Sequence, residues 1–199
     1  LANNVFAHAP DTNDFVAGLK TLLAPEGRAI LEFPHAVEMI AQSEFDTIYH
    51  EHVFYFTLTA LEPLLTRHGL RITRVERTPM HGVSLRIFVR HDSQSADETV
   101  AALRSEESEL SVGSLGYYQD FAAQADSNRK ALRAQIAILK TEGKTLAAYG
   151  AAAKGSTLLN FCGITADDLA FVADRSPHKQ GKLMPGAHVP IVPPEDLAD

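Results

Sequence analysis

The segment FDTIYHEHVFYF, residues 45–56, places four proton-carrying side chains in a row between aromatic residues: Tyr49, His50, Glu51 and His52. An imidazole can act as a general base near neutral pH, a neighbouring carboxylate can fix its tautomer, and a phenol can hydrogen-bond an enolate oxygen. Burying such groups without a use for them costs free energy. The segment therefore predicts a proton-transfer site, and plain packing of these side chains is the alternative.

Metal binding is a second hypothesis for the same histidines. His50 and His52 would point to one side only in an extended segment, and the helical spacing H-E-x-x-H is absent. Cys162 is the single cysteine of the chain, which excludes an internal disulfide or a thiolate-rich metal site. Proton transfer fits the segment better, and no residue is assigned as a metal ligand.

A second candidate site lies in YGAAAKGSTLLN, residues 149–160. A strand that ends at Gly150, a tight turn with Gly155 and a helix that starts near Ser156 would point backbone N–H groups at an anion, and Lys154 would add positive charge. The segment DRSPHKQGK adds basic residues after the next strand. These basic residues, Arg175, Lys179 and Lys182, suggest a diphosphate ligand. The predicted substrate-binding residues of this part of the chain are Gly150, Lys154, Gly155, Ser156, Asp174, Arg175 and Lys179. Ordinary helix packing and a solvated loop are the alternatives.

The elements that must position the first site read as an α/β pattern. LANNVFA predicts a strand that ends at His8, a helical pattern begins at Asp11, and RAILEF predicts a second strand before His35. Short connections favour parallel strands, and ligands lie beyond the carboxyl ends of such strands. We therefore expect His8, His35 and the segment 49–52 at one edge of the sheet.

The rest of the chain continues this α/β reading. Thr59-x-x-Glu62 predicts a capping box at the start of a helix that ends at His68, and LRITRVERT and SLRIFVRH predict an antiparallel strand pair. Residues 95–142 read as a linker with interdomain helices. From residue 143 the α/β pattern restarts with KTLAAYG and LAFVADR as strands.

The overall composition restricts the class of partner. The chain has 199 residues, 45% of them hydrophobic, with a net charge of -7. Nucleic-acid binders usually carry a basic face, so we expect no nucleic-acid partner. No apolar run approaches the ~20 residues that span a membrane and no signal peptide opens the chain, so we expect a cytoplasmic protein. The chain starts without methionine, and we expect it to be the back part of a longer polypeptide.

Several motifs together resemble one enzyme family. They are NNVFAHAPD, EFDTIYHEHVFYFTLTALEPLLTRHGL, HGVSLRIFV, YGAAAKGSTLLNFCGI and DRSPHKQGKLMPGAHVPI. Their order resembles that of the S-adenosylmethionine-dependent C-methyltransferases of nucleotide-linked deoxy-keto sugars, over nearly the whole chain. The resemblance implies the end of a class I methyltransferase domain at 1–94, interdomain helices at 95–142 and a Rossmann-like nucleotide-sugar-binding domain at 143–199. The family's zinc cysteines and Gly-rich S-adenosylmethionine loop are missing, so both sites are expected outside this chain.

The resemblance also implies residue roles. His52 would remove a proton from the carbon next to the sugar ketone, and Tyr49 and Glu51 would position the substrate or assist that transfer. His8 matches an active-site position, and His50 would contact the substrate. The enolate carbon would then attack the sulfonium methyl group, while the carboxyl-terminal domain holds the nucleotide diphosphate.

Two other functions remain open at this point. The chain could be a non-catalytic module that binds a nucleotide diphosphate, with the YHEH cluster in a structural role. A NAD-type oxidoreductase is the other alternative, with Asp174 as the acidic residue that follows the AAAKG turn. The sugar, the methylated carbon, the nucleotide base and the oligomeric state are not specified by the sequence.

Overall fold

The computed structural model describes residues 1–79 and 83–197, and the chain divides into two compact units. Unit 1 comprises Leu1–Glu44 and His50–Phe121, and unit 2 comprises Phe45–Tyr49 and Ala122–Asp199. The boundary between Tyr49 and His50 falls inside the predicted proton-transfer segment. The described helices include none that is both long enough and apolar enough to cross a membrane.

Unit 1 is built on a four-stranded sheet with the order β1-β2-β4-β3. Its strands are β1 (Ala2–Asn3), β2 (Ala29–Pro34), β3 (Leu70–Thr78) and β4 (Ser84–His91). β1 and β2 are parallel, whereas β4 runs antiparallel to both of its neighbours. This arrangement confirms the predicted α/β sheet with parallel strands and an antiparallel final pair.

The core on one face of this sheet contains residues of α1 (Thr12–Leu22), α3 (Leu58–Thr66) and α4 (Glu98–Glu109). The short helix α2 (Ala36–Ala41) follows β2. Because side chains alternate along a strand, Leu85, Ile87 and Val89 of β4 are fully buried on the helix-covered face. Phe88 and Arg90 point to the other face and stay partly exposed. The sheet therefore has one apolar face and one face rich in charged side chains.

The first strand is shorter than the sequence predicts. Only Ala2–Asn3 pairs with β2, and Phe6–His8 forms a 3-10 turn instead of continuing the strand. Asn4 has a φ of 53°, a left-handed conformation that ends the strand. Phe6 is then fully buried, stacked on Phe56 at a centroid distance of 4.6 Å. Packing of this aromatic ring overrides the local strand propensity.

The predicted capping box is also wrong. The N-cap of α3 is Thr57, whose Oγ1 accepts a hydrogen bond from the Ala60 N–H at 3.2 Å. Thr59 lies inside the helix, and the Glu62 carboxylate pairs with Arg104. A carboxylate from α4, described below, accepts hydrogen bonds from the N–H groups at the helix start and so fixes where α3 begins.

Unit 2 is built on a three-stranded parallel sheet with the order β5-β6-β7. Its elements are α5 (Leu115–Thr141, which begins in unit 1), β5 (Ala148–Tyr149), α6 (Ala153–Cys162), β6 (Val172–Ala173) and β7 (Ile191–Val192). The core contains Ile136, Leu159 and Val172. α6 starts at Ala153, three residues before the predicted Ser156. Gly163, with a φ of 63°, ends the helix.

Candidate functional site

The backbone of the segment after His50 is fixed by the 3-10 turn that follows β1. The N–H groups of Val53 and Phe54 both donate to the Ala7 carbonyl, at 3.0 and 3.2 Å. The Ala36 N–H, just beyond β2, donates to the Phe56 carbonyl at 3.0 Å. The segment therefore lies beyond the carboxyl ends of both parallel strands, the edge at which ligands bind in such sheets.

Two predicted catalytic histidines lie side by side at this edge. The His8 Nδ1 is 2.5 Å from the Glu51 carbonyl oxygen. A carbonyl can only accept, so Nδ1 carries the proton and a neutral His8 presents Nε2 as an acceptor. The ring centroids of His8 and His52 are 5.1 Å apart. The structure thus brings together two imidazoles, one with its tautomer fixed by the protein backbone.

The other predicted residues of the YHEH segment are Tyr49, His50 and Glu51, and their structural roles differ. His50 and Glu51 are exposed, and Glu51 supports the histidine pair through its backbone oxygen. Tyr49 belongs to unit 2, where its N–H donates to the Thr47 carbonyl at 3.0 Å. The predicted catalytic set is therefore divided between the two units, with His8, Glu51 and His52 in unit 1.

The sequence predicts His35 at the edge of the sheet, but its imidazole does not face that edge. It is 1% exposed, and its Nε2 donates to the Glu107 Oε1 at 3.3 Å. Its backbone N–H donates to the Val83 carbonyl at 3.2 Å. His35 follows β2 as predicted, but its imidazole points into the interior because a buried carboxylate holds it there.

Glu107 is the polar residue near the site that the sequence reasoning missed. It is fully buried and accepts hydrogen bonds from the Leu58 N–H, the Thr59 N–H and the Thr59 hydroxyl at 2.7, 2.7 and 2.6 Å. Burial opposes its ionisation, but hydrogen bonds from His35 and the first turn of α3 outweigh it, and the pKa of Glu107 lies below its usual range. This carboxylate fixes the helix that follows the YHEH segment.

A signal for Glu107 was present in its spacing. Val100, Leu103 and Glu107 recur at helical intervals, which places the carboxylate on the apolar face of α4. All three side chains are buried. A charged residue in an apolar stripe predicts a buried hydrogen-bond network, because an unpaired buried charge is costly.

The second candidate site is organised around the turn after β5. Gly150 has a φ of 96°, and its N–H donates to the Ala173 carbonyl at 2.7 Å. The Asp174 carboxylate accepts from the Ser176 N–H at 2.8 Å and the Ala151 N–H at 2.7 Å. These two bonds hold the pKa of Asp174 below its usual range. The carboxylate thus builds the turn, which leaves it poorly placed to bind the ribose of a dinucleotide.

Lys179 contributes to the same turn after β5. Its Nζ donates to the Ala151 carbonyl at 2.7 Å and lies 3.5 Å from the Asp174 Oδ2. A cavity of about 430 Å³ adjoins the turn and is lined by Tyr149, Gly150, Asp174 and Arg175. Three of the predicted binding residues, Gly150, Asp174 and Arg175, therefore share one cavity.

The first turn of α6 contains the other predicted binding residues. The Ser156 N–H donates to the Ala152 carbonyl at 3.1 Å, so the N–H groups of the three preceding residues lie before the helical ladder. Ala152 supplies no side-chain cap. A Cβ on Gly155 would lie 3.2 Å from the Gly150 carbonyl oxygen, so glycine permits the close approach of helix and turn. Lys154 follows the helix start directly.

Within residues 1–79 and 83–197, no group of three or more His, Cys, Asp and Glu side chains is arranged to hold a metal ion. Cys162 is a free, buried cysteine, and burial raises the pKa of its thiol.

The sheet topology defines an α/β protein, with a histidine pair at the carboxyl edge of the parallel strands of unit 1. Residues 79–199 match the family model described as the C-methyltransferase C-terminal domain. The chain is 37% identical over 198 residues to the C-methyltransferase NovU of Streptomyces niveus. The aligned region covers 97% of this chain and 46% of NovU. The chain therefore belongs to the C-methyltransferase family, and it spans about half the length of this curated relative.

Proposed function

We propose that this chain takes part in C-methylation of a nucleotide-linked deoxy-keto sugar. The observation that supports the proposal is the His8–His52 pair, with its rings 5.1 Å apart and the His8 tautomer fixed by the Glu51 carbonyl. The family accounts for the reaction class. The resemblance of the motifs supplies the substrate class.

His52 acts as the base in this proposal. It takes the proton from the carbon next to the ketone, and the C–H bonding electrons pass into the enolate. His8 lies beside it, with its Nδ1 hydrogen bonded to the Glu51 carbonyl oxygen. The exposed side chains of His50 and Glu51 contact the substrate. When bound, S-adenosylmethionine would supply the electrophilic methyl group to the enolate carbon, its S–CH₃ bond breaking to leave S-adenosylhomocysteine.

The residues of this chain do not fit the main S-adenosylmethionine site. β1 leads into Asn4 and Val5, and β2 leads into His35, so neither parallel strand of unit 1 is followed by a glycine-rich loop. We propose that the chain is the back part of a longer protein. The main methyl-donor site and the zinc-binding segment would then lie outside it.

Unit 2 holds the nucleotide diphosphate in this proposal. The first turn of α6 presents N–H groups before the helical ladder, next to Lys154. Arg175 lines the neighbouring cavity. In the described parts of the chain, neither Lys154 nor Arg175 forms an ion pair with a carboxylate. Their charges are therefore available to a phosphate group.

Replacement of the base tests the proposal. We expect His52→Asn in the intact protein to lower kcat by about 10²- to 10⁴-fold, the usual contribution of a general base, with nucleotide-sugar affinity retained. His68→Asn removes a half-buried histidine of the same unit, which contacts Asn13, and serves as the control. Turnover of His52→Asn at the rate of the parent would contradict the role, as would a loss confined to substrate binding.

A non-catalytic nucleotide-binding module is the second candidate. It is favoured by the separate turn-and-helix site of unit 2 and by the partial coverage of NovU. Titration of this chain with a nucleoside diphosphate, and separately with S-adenosylmethionine, tests this second reading. Nucleotide binding together with full turnover of His52→Asn in the intact protein would favour the module.

A further inference from the structure

A cavity of about 260 Å³ lies on the charged face of the unit 1 sheet. Its lining includes Arg28, Arg74, Phe88, Arg90 and Ser95. The register explains the cluster, because Arg74 pairs with Phe88, and Ala29 pairs with Val89, which sets Arg28 and Arg90 next to each other. Three guanidinium groups thus surround one cavity in a chain of net charge -7.

Phe88 contacts two of these arginines through its aromatic ring. The Cζ atoms of Arg28 and Arg74 lie 5.8 and 5.6 Å from the centroid of its ring. Each distance is within the range of a cation–π contact. The ring therefore holds two like charges near one cavity, an arrangement that an anion between them would stabilise.

Neutralisation of these cations is incomplete. Arg28 forms no ion pair within residues 1–79 and 83–197. Arg90 contacts Glu26 at 3.3 Å, but the Glu26 side chain is 84% exposed, and the buried Arg90 Nε has no hydrogen-bond partner in the described parts. Arg74 pairs with Glu76 at the exposed rim. Arg28 therefore brings to the cavity lining a guanidinium that has no ion pair in the described parts of the chain.

The carboxylate in the cavity lining is already engaged. Asp97 caps α4, and its Oδ1 accepts from the Thr99 N–H at 3.0 Å and the Thr99 hydroxyl at 2.5 Å. Its hydrogen bonds are directed at the helix start, so it does not pair with the three arginines.

We propose that this cavity binds the phosphate group of a small phosphorylated ligand. Guanidinium groups recognise phosphate through paired hydrogen bonds, and the Ser95 hydroxyl adds a donor at the rim. Arg28 precedes β2, so the cavity lies at the amino ends of the parallel strands, whereas His8 follows the carboxyl end of β1. A ligand bound here does not touch the histidine pair, and the site differs from the turn in unit 2.

Calorimetric titration of this chain tests the site. All proteins carry Lys154→Gln and Arg175→Gln, which remove the proposed cations of unit 2. We expect this background to bind inorganic diphosphate, and the further changes Arg28→Gln and Arg74→Gln to weaken binding by about tenfold or more, since charged hydrogen bonds are lost. Arg129→Gln, which removes a half-buried arginine paired with Asp126, is the matched control and should leave affinity unchanged.

The ligand type is resolved by a parallel titration with adenosine monophosphate. Equal affinity for the two probes assigns recognition to the phosphate alone, and tighter binding of the nucleotide adds a contact with its base. Circular dichroism confirms that each variant is folded. Absence of binding in the background protein would overturn the proposal, and so would equal weakening by Arg129→Gln.

Discussion

The two units use a carboxylate for the same task in different surroundings. Glu107 in unit 1 and Asp174 in unit 2 each accept two backbone N–H groups beside a candidate site. Glu107 has a side-chain exposure of 0%, whereas Asp174 is 13% exposed. The comparison shows that the start of α3 is fixed from within the core, while the turn of unit 2 is fixed near solvent. Disruption of the first should destabilise unit 1, and disruption of the second should mainly weaken binding.

Glu107→Ala should have the largest effect on stability. It leaves the N–H groups of Leu58 and Thr59 and the His35 imidazole without their buried acceptor, so we expect a loss of roughly 3 kcal/mol in the free energy of unfolding. Urea unfolding of this chain measures the change. Glu107→Gln keeps one acceptor oxygen and should cost less.

The matched control is Glu109→Ala, which lies on the same helix but is exposed. It should change the free energy of unfolding by less than about 0.5 kcal/mol, as surface substitutions usually do. Equal losses for Glu107→Ala and Glu109→Ala would refute the assignment of the start of α3 to the buried carboxylate.

Acid should destabilise unit 1 through the same group. The pKa of Glu107 in the folded protein lies below its ordinary value of 4.5, so the unfolded chain takes up the proton first. Its contribution is complete above that value and is lost as the pH falls through the lower folded pKa. Unfolding free energies between pH 7 and pH 3 measure this loss.

The variant Glu107→Gln isolates this contribution. Asp168 and Asp174 also have lowered pKa values, so the parent protein loses stability in acid for several reasons. The difference between parent and variant should shrink as the pH falls below 4.5. A difference that stays constant down to pH 3 would show that the pKa of Glu107 is the same in the folded and unfolded states, and would contradict its lowering in the fold.

Asp174→Asn should have the smallest effect on stability and a larger one on binding. The amide keeps one acceptor but turns a donor toward one of the two N–H groups of Ala151 and Ser176. We expect affinity for a nucleoside diphosphate to fall about tenfold, in line with one lost charged hydrogen bond, while the unfolding midpoint changes little. Asp167→Asn, at an exposed position, is the control. Unchanged affinity would separate the turn from the binding site.

Periodic segments were predicted well because their cause is local. The alternation of LRITRVERT and SLRIFVRH gave β3 and β4, and Asp11 was placed at the start of the first helix, where its Oδ1 accepts from the Asp14 N–H. Hydrophobic alternation and side-chain capping depend on residues a few positions apart. Such elements can be read directly from the sequence.

The errors have a long-range cause. β1 ends early because Phe6 packs on Phe56, and α3 starts at Leu58 because Glu107, 49 positions further along, accepts its N–H. Likewise the approach of His8 to His52 was expected from topology, but the bond from His8 to the Glu51 carbonyl was not. No local pattern encodes these partners.

Proton exchange tests the central claim most directly. The intact protein is incubated in D₂O with a nucleotide-linked deoxy-keto sugar and S-adenosylhomocysteine, so that no methyl group can be transferred. Nuclear magnetic resonance follows the proton on the carbon next to the ketone. We expect the parent protein and His68→Asn to catalyse exchange with deuterium and His52→Asn to lose it. Exchange at the parent rate in His52→Asn would contradict the assignment of His52 as the base.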